Sequence, residues 1–143
     1  MAVPYLSHYP QTPTVLVHRH PLAVISSFVG IRFFDQQSSY LDFLLRKNQT
    51  LRGLSPLEAA CDHYMIWNKH ALAYADVVTD IDDVAWEKII PLSSYLTIEG
   101  VALGIAQVSQ TYNHRQRADI DPELIPPEVW EMRALLKEME AKT

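Results

Sequence analysis

The sequence predicts an α/β chain that is α-rich, with few short strands expected to run parallel. Three observations carry this. Two short apolar runs rich in β-branched residues, 14–19 and 77–81, have the length and chemistry of buried strands. Between and after them, apolar residues recur at helical spacing. Proline and hydroxyl residues stand where helices begin.

The elements follow in order. Residues 1–13 hold three prolines and little periodicity, and are expected to form an irregular arm. Val15-Leu16-Val17 makes 14–19 a strand buried on both faces. Pro21 suits a first helical turn, where its missing N–H costs nothing. That helix is expected to run to about Phe34, with Phe28, Ile31 and Phe34 toward the core. Residues 40–45 fit a helix, and 48–53 a loop. Ser55, Pro56 and Glu58 then spell an N-cap, a first-position proline and a capping box. Leu57, Cys61, Tyr64, Leu72 and Ala75 continue that helix, and Met65, Ile66 and Trp67 widen its apolar surface. After the second strand, Asp82 is expected to cap a helix through Ile90, stopped near Pro91. Residues 92–108 suggest one or two short helices around Gly100 and Gly104, and 111–121 a polar loop. Pro126-Pro127-Glu128 opens a last amphipathic helix with Val129, Met132, Leu136 and Met139 along one side.

The chain has 143 residues, enough for a single domain spanning 1–143 with a buried core. Apolar residues make up 48% and charged residues 20%, an ordinary globular balance. A net charge of −5 argues against general affinity for nucleic acid or anionic membranes, while leaving room for a local basic pocket. One cysteine excludes an internal disulfide, and no apolar run reaches the length of a membrane span. The first ten residues lack the basic start and apolar block of a signal peptide, so a cytoplasmic location is expected. With only four glycines there is no glycine-rich phosphate loop and no G-x-x-x-x-G-K-[ST].

The segment from Val15 to Phe28 carries the most chemistry. A strand ends at Arg19 and turns at once into a helix. The guanidinium fork of arginine matches the oxygens of a phosphate. His20 is a weak N-cap, so first-turn N–H groups would be available to an anion. Ser26 and Ser27 are mildly unfavourable inside a helix, and a hydroxyl at 27 could donate to the same anion. The plainer alternative is an exposed Arg19 paired with one of the 17 acids and a Ser27 bonded back to its own helix.

Arg19-x-Pro21, five residues, then Ser27 resembles the motif that grips the 3′-phosphate of the sulfate donor in the P-loop sulfotransferase family. The order downstream is similar over residues 14–130. Ile66-Trp67-Asn68 falls where the family has a helix with a central aromatic. Val77-Val78-Thr79-Asp80-Ile81-Asp82-Asp83 falls where it has a strand and an acidic stretch. Thr111-Tyr112-Asn113-His114-Arg115 resembles a polar segment near the donor nucleotide. The resemblance implies part of a three-layer sulfotransferase-like domain, its C-terminal half at 14–143. It implies 3′-phosphoadenosine 5′-phosphosulfate (PAPS) as cofactor, with Arg19, Ser27, Asn113 and Arg115 binding it. The family's phosphosulfate loop and catalytic base lie upstream of the Arg-x-Pro strand. Catalysis needs that positioning, so no turnover by this chain alone is expected. A second expectation is a non-catalytic interaction protein on the same scaffold, its uncovered sheet edge and apolar surface paired in a homo-oligomer or with a complementary chain.

Other constellations weigh less. His18 and His20 share a face of a strand and could ligate zinc with His63, His70 or Asp62, but ordinary histidines are commoner. Cys61 could be a nucleophile, yet its place in an apolar stripe favours packing. Asp80, Asp82 and Asp83 could hold a cation or cap a helix. Trp67, Trp86 and Trp130 are expected to pack. Arg115 and Arg117 beside His114 form a small basic cluster that could approach the same anion as Arg19.

Overall fold

Val15–His18 forms strand β1, and Val77–Asp80 forms β2. They pair in parallel, with Val15 opposite Val77 and His18 opposite Asp80. The structure is a computed structural model that describes residues 12–35, 39–46, 49–93 and 117–143. Five helices accompany the strands among these residues: α1 (Pro21–Gly30), α2 (Ser39–Leu45), α3 (Pro56–Leu72), α4 (Trp86–Ile89) and α5 (Pro127–Lys142). The chain is therefore helix-rich and mixed α/β, with two short parallel strands, as the sequence predicts. None of its described helices is long and apolar enough to cross a membrane. The described residues gather into two compact units. One holds those of Met1–His18, His70–His114 and Leu136–Thr143, the other those of Arg19–Lys69 and Arg115–Leu135.

In the first unit every residue of β2 is buried. β1 is not buried on both faces as expected: Leu16 and His18 are enclosed, but Val17 is 48% exposed. The amides of Val77 and Ile81 donate to the carbonyls of Thr14 (3.3 Å) and His18 (2.9 Å). Strand alternation then turns the Val78 and Asp80 amides to the opposite edge. There the Val78 amide donates to Thr143 Oγ1 (3.0 Å) and the Asp80 amide to Glu140 Oε1 (2.9 Å). Side chains at and just past the end of α5 thus meet this edge, where the Asp83 amide also donates to the Asp80 carbonyl at 3.2 Å.

The expected helix from Asp82 to Ile90 is only the single turn α4. The turn before it uses the backbone differently. Asp80 Oδ1 accepts the Asp82 amide (3.1 Å), and Thr79 Oγ1 accepts the Ala85 amide (2.9 Å). Asp82 caps nothing; Ala85 is the N-cap and makes no side-chain cap bond. Pro91 then tightens the chain into a 3-10 turn at Ile90–Leu92.

In the second unit α1 ends at Gly30, four residues short of Phe34. Arg32 takes a left-handed φ of 57°, which no helix continues. Ile31 therefore leaves the expected apolar face and is 37% exposed, while Phe34 is buried at 3%. The chain bends so that Phe28 stacks on Phe33 at 5.0 Å and meets Phe34 edge-on at 5.7 Å. Leu41 and Leu44 of α2 are buried, and a 3-10 turn at Gln49–Leu51 buries Leu51. α3 starts as its capping box requires: the Ser55 amide donates to Glu58 Oε2 (2.8 Å) and the Glu58 amide to Ser55 Oγ (3.3 Å). Its buried stripe runs through Ala60, Cys61, Tyr64 and Asn68, with Leu57 only half-buried. Asn68 satisfies its amide on the Tyr64 carbonyl at 2.8 Å. α5 buries Val129, Met132 and Leu136 as its periodicity predicts, with Met139 half-buried. Of the short helices expected over 92–108, all but residues 92 and 93 lie outside the described residues.

Candidate anion site

Arg19 and His20 link β1 to α1, so Arg19 stands where a parallel strand delivers the chain to a helix N-terminus. The N-cap is His20, with φ −52° and ψ 129°, and its side chain makes no cap hydrogen bond. Pro21 has no N–H, while the Ala23 and Val24 amides donate to the His20 carbonyl at 3.0 and 3.3 Å. The first turn of α1 therefore asks less of a ligand than its weak cap suggests.

Arg19 asks more. The residue is half-buried, and its Nε is enclosed with no hydrogen-bond partner. No ion pair engages Arg19 among the described residues. Its carbonyl accepts the Tyr64 hydroxyl at 3.4 Å, which fixes the backbone and leaves Nε without an acceptor among the described residues. An enclosed cation donor without an acceptor is costly, and an anion removes that cost. Among the described residues, no acid neutralises Arg19.

Ser27 is half-buried and its carbonyl accepts the Ile31 amide at 3.1 Å. Ser26 is the more buried of the pair, and its carbonyl takes the Ala118 amide at 3.0 Å. That bond lays residues 117–120 along α1. It closes a cleft of about 310 Å³ lined by His20, Ala23, Ser26, Arg117, Asp119 and Ile120 among others. The His20 ring meets Trp130 edge-on at 5.8 Å. Arg117 is thus brought beside the start of α1, whereas neither Arg19 nor Ser27 lines the cleft. Asn113 and Arg115 lie outside the described residues.

The other candidates part company. No three metal-ligating side chains converge among the described residues. His18 is enclosed beside Glu140, and His20 packs on Trp130. His63 sits among Phe28, Phe34 and Trp67, where burial holds its pKa below the usual value against the opposing pull of Asp62. Asp62 accepts the Thr50 hydroxyl at 3.0 Å. Cys61 is buried, and burial, with Glu58 nearby, pushes its thiol up to about 11. A thiol that stays protonated is a packing residue, not a nucleophile.

One cluster escaped the sequence reading. His18 and Asp80 close the C-terminal ends of β1 and β2, and Lys137 and Glu140 reach them from α5. Lys137 Nζ lies 2.9 Å from Asp80 Oδ2 and 2.8 Å from Glu140 Oε2. His18 Nε2 lies 3.5 Å from Glu140 Oε2. Burial raises the Glu140 pKa, but Lys137, the Asp80 amide and His18 together bring it below its usual value. Glu140 and Asp80 hold the Lys137 ammonium above its own. The only signal in the sequence is the i, i+3 spacing of Lys137 and Glu140; the rest is long-range pairing. The His18 side chain is fully enclosed, so this cluster has the character of a structural clasp.

No family model, curated protein or solved structure matches this chain.

Proposed function

We propose that this chain binds a phosphorylated nucleotide, with Arg19 gripping a phosphate where β1 passes into α1. The unanswered Nε of Arg19 is the observation that carries the reading. The resemblance to the sulfotransferase 3′-phosphate motif names the ligand class: PAPS, or the desulfated 3′-phosphoadenosine 5′-phosphate. Ser27 remains the second ligand that resemblance implies, with Asn113 and Arg115 as further ones. Arg117 and Ser26 put a cation and a hydroxyl in the cleft that His20 also lines. The reading makes this a nucleotide-binding protein on a sulfotransferase-like scaffold. A thermal-shift comparison tests it: 3′-phosphoadenosine 5′-phosphate should raise the melting temperature of the wild type and not of Arg19→Ala. A shift that survives in Arg19→Ala removes Arg19 from the site.

A second reading is a non-catalytic interaction protein. The exposure of Val17 (48%) and Ile81 (49%), at and just past the paired strands, favours it. Apolar side chains so placed suit a second chain. Light scattering after size exclusion decides: an oligomer that Val17→Ser dissociates supports this reading, and a monomer removes it.

A further inference from the structure

The turn that ends α1 is strained, and aromatic rings hold it in place. The Arg32 amide donates to the Val29 carbonyl and the Phe33 amide to the Phe28 carbonyl, both at 3.0 Å. This is the bond pair of a Schellman cap, whose left-handed position is usually glycine. Here that position is Arg32, at φ 57°, a conformation that a side chain disfavours. Ring contacts offset the strain. Phe28 stacks on Phe33, the apolar contact that accompanies such a cap, and Phe33 meets Phe34 edge-on at 5.1 Å. His63 of α3 joins the cluster, its ring 5.7 Å from Phe28, 5.6 Å from Phe34 and 6.3 Å from Trp67.

His63 is the member of this cluster that can gain a charge, and its surroundings do not answer one. α1 carries no titratable side chain. In the turn, Arg32 and Asp35 pair with each other at 3.1 Å. On α3, the Asp62 carboxylate accepts the Thr50 hydroxyl and the Glu58 carboxylate accepts the Ser55 amide. Asp42 and Arg52 line a cavity with Phe34. Among the described residues, none of these groups forms an ion pair with His63. Burial disfavours an imidazolium here more than the pull of Asp62 favours it. We propose that His63 is an acid-released latch on the end of α1: its protonation parts the rings, and the Arg32 turn then opens while α3 stays folded. The cap supplies the direction, because Arg32 without its ring contacts gains by leaving the left-handed region. Helix ends are also where local opening is cheapest. This inference is independent of phosphate binding at Arg19.

The test is amide exchange followed by NMR at about pH 7.5 and about pH 5.5, corrected for intrinsic rates, a window that spans the titration of a histidine. The Phe33 amide should exchange roughly fivefold faster at the lower pH, as linkage to one imidazole allows. The Tyr64 amide, inside α3, should change little. His63→Leu should abolish the pH dependence at Phe33. Arg32→Gly keeps His63 and removes the disfavoured backbone, so it should slow Phe33 exchange at both pH values. A wild-type Phe33 rate that ignores pH, or one that keeps its pH dependence in a folded His63→Leu, overturns the latch. So does a Tyr64 amide that speeds up as much as Phe33, since that is unfolding of α3 as well. If His63→Leu does not fold, Arg32→Gly decides, and Phe33 exchange that is unchanged or faster there overturns the latch.

Discussion

Ile25→Ala probes the helix that presents Arg19. Ile25 is 0% exposed, the deepest apolar side chain of α1. The change removes three carbons. At about 0.8 kcal/mol per buried CH₂, the transfer term is about 2.4 kcal/mol. Incomplete collapse around the cavity brings the total to about 3–4 kcal/mol, inside the usual range for Ile→Ala. Ile31→Ala deletes the same atoms from a side chain 37% exposed, beyond the end of α1, and should cost less than about 1 kcal/mol. Urea unfolding followed by circular dichroism separates them. With a slope of about 2 kcal/mol per molar urea, Ile25→Ala should lower the midpoint by about 1.5 M or more, and Ile31→Ala by less than about 0.5 M. Equal shifts would refute the reasoning, because they would mean that the helix faces are assigned wrongly.

Acid should weaken the fold in two steps. The pKa of His63 is held below its usual 6.5. Its contribution is therefore full above about 6.5 and is lost as pH falls through the folded value. The pKa of Glu140 is held below its usual 4.5, so its contribution is full above about 4.5 and is lost below. Thermal melts of His63→Leu should lose the upper step, and those of Glu140→Gln the lower; unchanged profiles would contradict both assignments. Cys61, its thiol raised to about 11, should react with iodoacetamide at pH 8 far more slowly than a free cysteine in the native chain and normally in urea. Fast native labelling would place the thiol outside the core.

What the sequence made legible follows from range. Local rules worked where local chemistry decides: the Ser55–Glu58 box opens α3, Pro127 opens α5, and Val129, Met132 and Leu136 are buried at helical spacing. They failed where tertiary bonds compete. Asp82 reads as a cap, but the Asp80 carboxylate and Thr79 hydroxyl, fixed by β2, take the amides of Asp82 and Ala85 and shorten α4 to one turn. Ile31 sits in register with Phe28, but the left-handed Arg32 ends the helix first. At the candidate site, the weak cap at His20 and the position of Arg19 were readable from Arg19-His20-Pro21 alone. That its Nε has no acceptor among the described residues was not, because any of 17 acids could have reached it. The clasp of His18, Asp80, Lys137 and Glu140 was invisible for the same reason: its members come from three separate elements.

The measurement that bears most directly on the central claim is calorimetric titration with 3′-phosphoadenosine 5′-phosphate, run on the wild type and Arg19→Ala side by side. Adenosine 5′-phosphate, which lacks the 3′-phosphate, is the control ligand. The account predicts saturable binding of the 3′-phosphorylated nucleotide, at least tenfold weaker in Arg19→Ala and for the control. A folded wild type that binds neither nucleotide, or binds both equally, contradicts it.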